Sequence, residues 1–174
     1  GGAKGEPGEL MIQAKNGKFE KAGMPLFEED KISEDAGCAM FDADGDGNTD
    51  LYVASGSNEF PESSSALADR LYINNGHGHF VKSAQVLPAG KYESTSCVRP
   101  EDFDNDGVME LFIGIRLKPF AYGVPVNGYI LENEYINVED DNKEIIAVSD
   151  YFDAETGEEF KTDDEEKISL GKLL

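Results

Sequence analysis

Phe41-Asp42-Ala43-Asp44-Gly45-Asp46-Gly47-Asn48-Thr49-Asp50-Leu51-Tyr52-Val53 and Glu101-Asp102-Phe103-Asp104-Asn105-Asp106-Gly107-Val108-Met109-Glu110-Leu111-Phe112-Ile113 are two copies of one pattern, 60 residues apart. In each copy, acidic side chains occupy alternate positions of a glycine-bearing loop, and an acidic ninth residue leads directly into an apolar run. Carboxylates folded into one turn repel each other, and without a cation at least one must take up a proton. A divalent ion removes that conflict. Ca²⁺ takes about 6–8 oxygens at roughly 2.3–2.6 Å, and such a loop offers side chains at positions 1, 3 and 5, a backbone carbonyl at 7 and a carboxylate at 9. The predicted ligands are Asp42, Asp44, Asp46 and Asp50 with the Asn48 carbonyl, and Asp102, Asp104, Asp106 and Glu110 with the Val108 carbonyl. Two Ca²⁺ sites are therefore expected. Gly45, Gly47 and Gly107 supply the backbone freedom for the bend, while Glu110, longer than Asp, requires a different reach.

An EF-hand shares the Asp-x-Asp-x-Asp-Gly opening but needs a bidentate Glu at position 12, where these loops place Val53 and Ile113. Their flanks read as strands, which excludes that motif. A second landmark repeats in step with the first. Leu10-Met11-Ile12 followed by Gly17-Lys18-Phe19 recurs 61 residues later as Leu71-Tyr72-Ile73 followed by Gly78-His79-Phe80. Each unit reads as a four-stranded meander. An apolar strand enters the acidic loop (about 36–42 and 96–102), and a second leaves it through Leu51 to Ala54 or Leu111 to Ile115. These runs suit strands covered on both faces. A long connection then leads to a third strand, Leu71 to Asn74, and the Asn75-Gly76-His77-Gly78 turn leads to a fourth, His79 to Lys82.

A sheet of this size cannot bury both faces alone and must stack on copies of itself, radially as propeller blades in the commoner solution. The fold class is thus all-β, with β-propeller-type blades: a half blade at 1–22, a blade at 36–84 and a blade at 96–138. In the third unit Tyr129-Ile130-Leu131-Glu132-Asn133 matches the third strand, but Glu134 to Val138 follows without the Gly-x-Phe turn. Residues 139–174 form an acidic extension with 13 acidic residues against four lysines. Lys143 to Phe152 reads as a strand, Asp153 to Gly157 as a turn and Glu158 to Lys161 as a return strand, a hairpin or blade edge. The segment from Lys167 to Leu174 is too short to classify.

A net charge of −21, from 36 acidic and 15 basic residues, disfavours nucleic acid and anionic membrane surfaces, and no window has the apolar length of a membrane span. Cys38 and Cys97 are too few for a disulfide scaffold and read as two buried thiols at similar places in neighbouring units. His77 and His79 read as a solvated turn rather than a metal site. No phosphate loop or hydrolase triad is recognisable. The connections Ser57 to Asp69 and Arg116 to Gly128 are long and equivalent, and they carry Asn58, Glu59, Phe60, Arg116, Lys118, Phe120 and Tyr122. That mixture suits contact with a glycan or protein, unless the aromatics only pin the loops to the blade.

On Asp42 to Val53 followed by Leu71-Tyr72-Ile73-Asn74-Asn75-Gly76-His77-Gly78-His79-Phe80, the sequence resembles the FG-GAP/VCBS repeats of integrin α-chain propellers and bacterial secreted proteins. The bacterial branch found with ASPIC/UnbV domains looks closest. The resemblance covers about residues 1–133. It implies a β-propeller, structural calcium between the first two strands of a blade, an extracellular or cell-surface setting, and adhesion or ligand binding rather than catalysis. Family rings usually hold about seven blades, so this chain reads as a fraction of one. The exposed blade faces of a partial ring offer a route to self-association. The expected function is a calcium-binding extracellular module, not an enzyme, that recognises a glycan or protein ligand. The alternatives are the scaffold portion of a larger secreted polysaccharide-acting enzyme or an architectural spacer.

Overall fold

Asp50–Ser55 is buried at every position, as a β-strand must be when both faces of its sheet are covered. In the computed structural model, which describes residues 2–84, 92–136, 144–152 and 159–160, this strand is β4 of the first blade. It pairs antiparallel with β3 (Asp35–Phe41) on one side and with β5 (Arg70–Asn74) on the other, and β6 (Phe80–Lys82) completes the order β3-β4-β5-β6. The register Phe41↔Asp50 closes the first acidic loop, and Asn74↔Phe80 closes the glycine-bearing turn between the third and fourth strands.

The second blade repeats the plan with β7 (Ser94–Glu101), β8 (Glu110–Leu117), β9 (Gly128–Ile136) and β10 (Glu144–Phe152), all antiparallel. β9 runs straight through Glu134 and Tyr135, and the fourth strand is supplied by β10, with Ile136 opposite Glu144. A fifth strand, β11 (Glu159–Phe160), pairs Phe160 with Tyr151. The turn expected at Asp153 to Gly157 and the segment from Lys167 to Leu174 lie outside the described residues. Ahead of the blades, β1 (Met11–Gln13) and β2 (Phe19–Lys21) form the expected two-stranded piece. A short helix, α1 (Pro25–Glu29), follows with Pro at its start, where a missing N–H costs nothing.

Side-chain alternation along the strands sorts the core into layers. Ala39, Phe41, Tyr52, Ala54 and Leu71 of the first blade meet Val98, Leu111, Ile113, Tyr129 and Leu131 of the second. The opposite face of the first blade, Leu51, Val53 and Tyr72, is covered by Phe27 of α1, whose ring meets that of Tyr72 edge-on at 5.3 Å. The strands that enter the two acidic loops, β3 and β7, lie side by side as neighbouring innermost strands do. Close approach there requires Gly56, since a Cβ would meet the Thr95 carbonyl at 2.0 Å. These are β-propeller-type blades in an all-β fold.

Two expectations need correction. The run Leu111 to Ile115 reads as covered on both faces, yet among the described residues Leu111 and Ile113 on one face are buried while Phe112 on the other is 38% exposed. A continuous apolar run does not reveal whether a next layer is present. The cysteines are free thiols but not buried ones: Cys38 is exposed and Cys97 half-buried. Cys38 pairs with Val53, whereas Val98, not Cys97, occupies the matching place opposite Ile113. Their spacing misses the repeat by one residue, which in a strand moves a side chain to the other face.

Candidate metal centres

Each acidic loop links the first and second strands of its blade, and the turn brings side chains distant along the loop onto one point. Carboxylate oxygens of Asp42, Asp44 and Asp50 lie within 4.8 Å of one another, and those of Asp102, Asp104 and Glu110 do the same. The bend that allows this is left-handed at equivalent places, with φ 71° at Gly45 and 85° at Gly47, and φ 63° at Asn105 and 90° at Gly107. Asn is among the few residues with a side chain that enters this region readily, so the second loop turns without a second glycine.

The ninth residue is the buried end of each cluster. The Ala43 amide donates to Asp50 Oδ2 at 2.8 Å, and the Phe103 amide donates to Glu110 Oε2 at 2.7 Å. Glu110 therefore spans the same seven residues as Asp50 despite its extra methylene. Asp50 also accepts from the Asn74 amide at 2.7 Å, while the Asn74 side-chain amide donates to the Thr49 carbonyl at 3.0 Å. That clasp ties the first loop to the third strand, and Asn74 was not among the residues singled out by sequence. Burial pushes the Asp50 carboxyl above the usual carboxylate range; the amides of Asn74 and Ala43 oppose the shift, and the charges of Asp44 and Asp46 add to it.

Asp46 and Asp106 stand apart from these trios. Asp46 Oδ1 accepts from the Asn48 amide at 2.7 Å and Asp106 Oδ1 from the Val108 amide at 2.7 Å, both short-range turns of Asx type. Asp42 accepts from the amides of Gly45 and Gly47, and Asp102 from those of Asp106 and Gly107. The loops are thus preshaped by backbone donors to the same carboxylates that face the cluster. His77 and His79 stand exposed on the turn between β5 and β6.

A different carboxylate sits in the seam between blades. Asp69 is 2% exposed; the Tyr52 hydroxyl donates to Oδ2 at 2.8 Å and the Ser55 amide to Oδ1 at 2.7 Å. Burial pushes Asp69 up to about 7, against the Ser55 amide, the hydroxyls of Tyr52 and Thr95, and the nearby Arg70 charge. In sequence it is one more aspartate in a polar loop, and in the fold it is buried between Tyr52 and Ser55 of its own blade and Thr95 of β7.

Residues 42–113 match the family profile described as the FG-GAP-like repeat. Comparison with curated proteins and with solved structures gives no match. The matched stretch starts at Asp42, the first residue of the first loop, takes in the whole of the second loop and ends in β8. It is matched as a repeat, without singling out the branch found with ASPIC/UnbV domains. The profile, the two equivalent acidic loops and the neighbouring antiparallel sheets agree: residues 42–113 form an FG-GAP-like repeat in β-propeller-type blades.

Proposed function

We propose that the two acidic loops each hold one Ca²⁺ and that the ions are structural, fixing the blades of a module that recognises a ligand outside the cell. The observation that carries the reading is the twofold convergence of three carboxylates, Asp42, Asp44 and Asp50 in one loop and Asp102, Asp104 and Glu110 in the other. Packing these charges together in both blades is unfavourable without a cation. All-oxygen donor sets of this kind suit a hard divalent ion. Asp46 and Asp106 complete the shells by turning from their own loop amides, together with the carbonyls of Asn48 and Val108. The extracellular setting is drawn from the repeat family, whose members are typically found there. Sites of that environment bind at roughly 10⁻⁴–10⁻³ M, matched to the calcium outside cells. The role is binding rather than catalysis, since this reading uses the clustered carboxylates as metal ligands.

At about 100 times its Kd, an ion that binds only the folded state adds roughly 2.7 kcal/mol. Thermal unfolding in EGTA and then in millimolar Ca²⁺ should therefore show a rise in Tm that shrinks in Asp44→Ala and again in Asp104→Ala. An identical Tm in both conditions would end the calcium reading.

A further inference from the structure

Phe60 and Phe120 occupy equivalent places in the two long loops and have opposite fates. Phe60 is 6% exposed and packs with Ala66, Leu67 and Tyr92, pinning its loop. Phe120 is 68% exposed and Tyr122 90%, so the second loop holds two aromatic rings out in water. Phe120 also has φ 60°, a left-handed backbone that an aromatic residue adopts only when its surroundings impose it. Here they do: the Phe120 amide donates to Asn58 Oδ1 of the first blade's loop at 2.7 Å, and Lys118 pairs with Glu62 of that loop at 3.2 Å. A bridge between Lys118 and Ala121 closes the turn that carries Phe120. The tip is thus braced from the neighbouring blade, and the bracing does not bury the rings.

Beside the tip, both arms of the loop wall a cleft of about 440 Å³ with Glu62, Tyr92, Glu93, Lys118 and Asn127 on its sides. We infer that this tip and cleft form a binding site for a neutral oligosaccharide. The ring faces are electron-rich and attract the C–H face of a pyranose, which supplies the partly positive hydrogens that such a face prefers. Carboxylate, ammonium and amide groups in one cleft answer vicinal hydroxyls, each of which both donates and accepts. A charge of −21 on the chain and the carboxylates in the cleft disfavour acidic sugars. Two rings beside a polar cleft offer less apolar area than the core of a stable protein interface requires. The braced turn fixes the backbone that carries Phe120, so less freedom is lost on binding there than from an unbraced loop.

The inference deepens the recognition reading by naming its ligand class, and it does not depend on the metal ions. Native-gel affinity electrophoresis through arabinoxylan, galactomannan, mixed-linkage β-glucan or dextran, with polygalacturonate as the acidic control, tests it. At least one neutral polymer should retard the wild type. Tyr122→Ala and Phe120→Gly should each weaken that retardation at least tenfold. Glycine is at ease at φ 60°, so Phe120→Gly removes the ring without disturbing the turn, and both variants should keep the wild-type response of Tm to Ca²⁺. No retardation by any neutral polymer, retardation by polygalacturonate alone, or retardation unchanged in both variants would overturn the proposal while leaving the metal reading to its own test.

Discussion

Among the described residues, the first blade is covered on both faces and the second on one, although their central strands carry nearly the same apolar pattern. β4 is buried throughout between α1 and the second blade, whereas β8 shows Phe112 to solvent. The acidic loops differ in the same sense. Asp50 is wholly buried and clasped to both its loop and the third strand. Glu110 makes the loop contact, and the residue preceding Asp104 is a Phe103 left 46% exposed where the first loop has a buried Ala43. A repeated motif fixes local geometry, but its energetic weight depends on what the neighbouring layer contributes.

The largest test of that contrast is deletion of the ninth residue. Asp50→Ala strands the buried amide of Ala43 and the part-buried amide of Asn74, where an unpaired buried group costs about 1–3 kcal/mol. It should cost about 3–4 kcal/mol in EGTA. Glu110→Ala frees only the Phe103 amide, which is partly exposed, and should cost about 1 kcal/mol. Equal losses measured by urea unfolding would mean that the first loop's clasp carries no extra weight.

Next in size is the seam carboxylate, which has no counterpart in the second blade, where Gly128 stands opposite Gly114. Asp69 has its folded pKa at about 7, above the ordinary aspartate value. Between about pH 4 and 7 the unfolded chain is ionised there while the fold keeps the proton, so unfolding releases a proton and stability falls as pH rises. Asp69→Asn cannot ionise and should flatten that slope, gaining about 2–3 kcal/mol at pH 8 relative to wild type. A variant whose stability curve parallels wild type from pH 4 to 8 would refute the assignment.

The smallest effects concern how the loops turn. Gly45→Ala places a Cβ at φ 71° and should cost about 1 kcal/mol. Asn105→Gly, at the equivalent bend, should change stability by no more than about 0.5 kcal/mol, since Asn already tolerates that conformation. If the two substitutions shift the urea midpoint equally, the loops are not bending by the same device.

Much of this was legible in the sequence because it is written in spacing. The 60-residue period, the alternate acidic positions and the strand boundaries on either side of the loops need only local rules. The Asn105 bend was missed because the bend was assigned to Gly45, Gly47 and Gly107 alone, and α1 because Met24-Pro25-Leu26-Phe27 is too short a run to show helical period. Layer contacts were not legible at all. Whether Phe60 or Phe120 is the buried member of an equivalent pair, whether Asp69 is solvated, and whether β8 is covered depend on residues far away in the chain. The near-equal spacing of Cys38 and Cys97 misled for a simpler reason: one residue of offset in a strand changes the face.

Calorimetric titration of Ca²⁺ into EGTA-stripped, dialysed protein tests most directly whether the two loops hold two ions. Two ions should bind per wild-type chain, one to each of Asp44→Ala and Asp104→Ala, and none to the double variant. Absence of binding to the wild type, or a stoichiometry untouched by both substitutions, would contradict it.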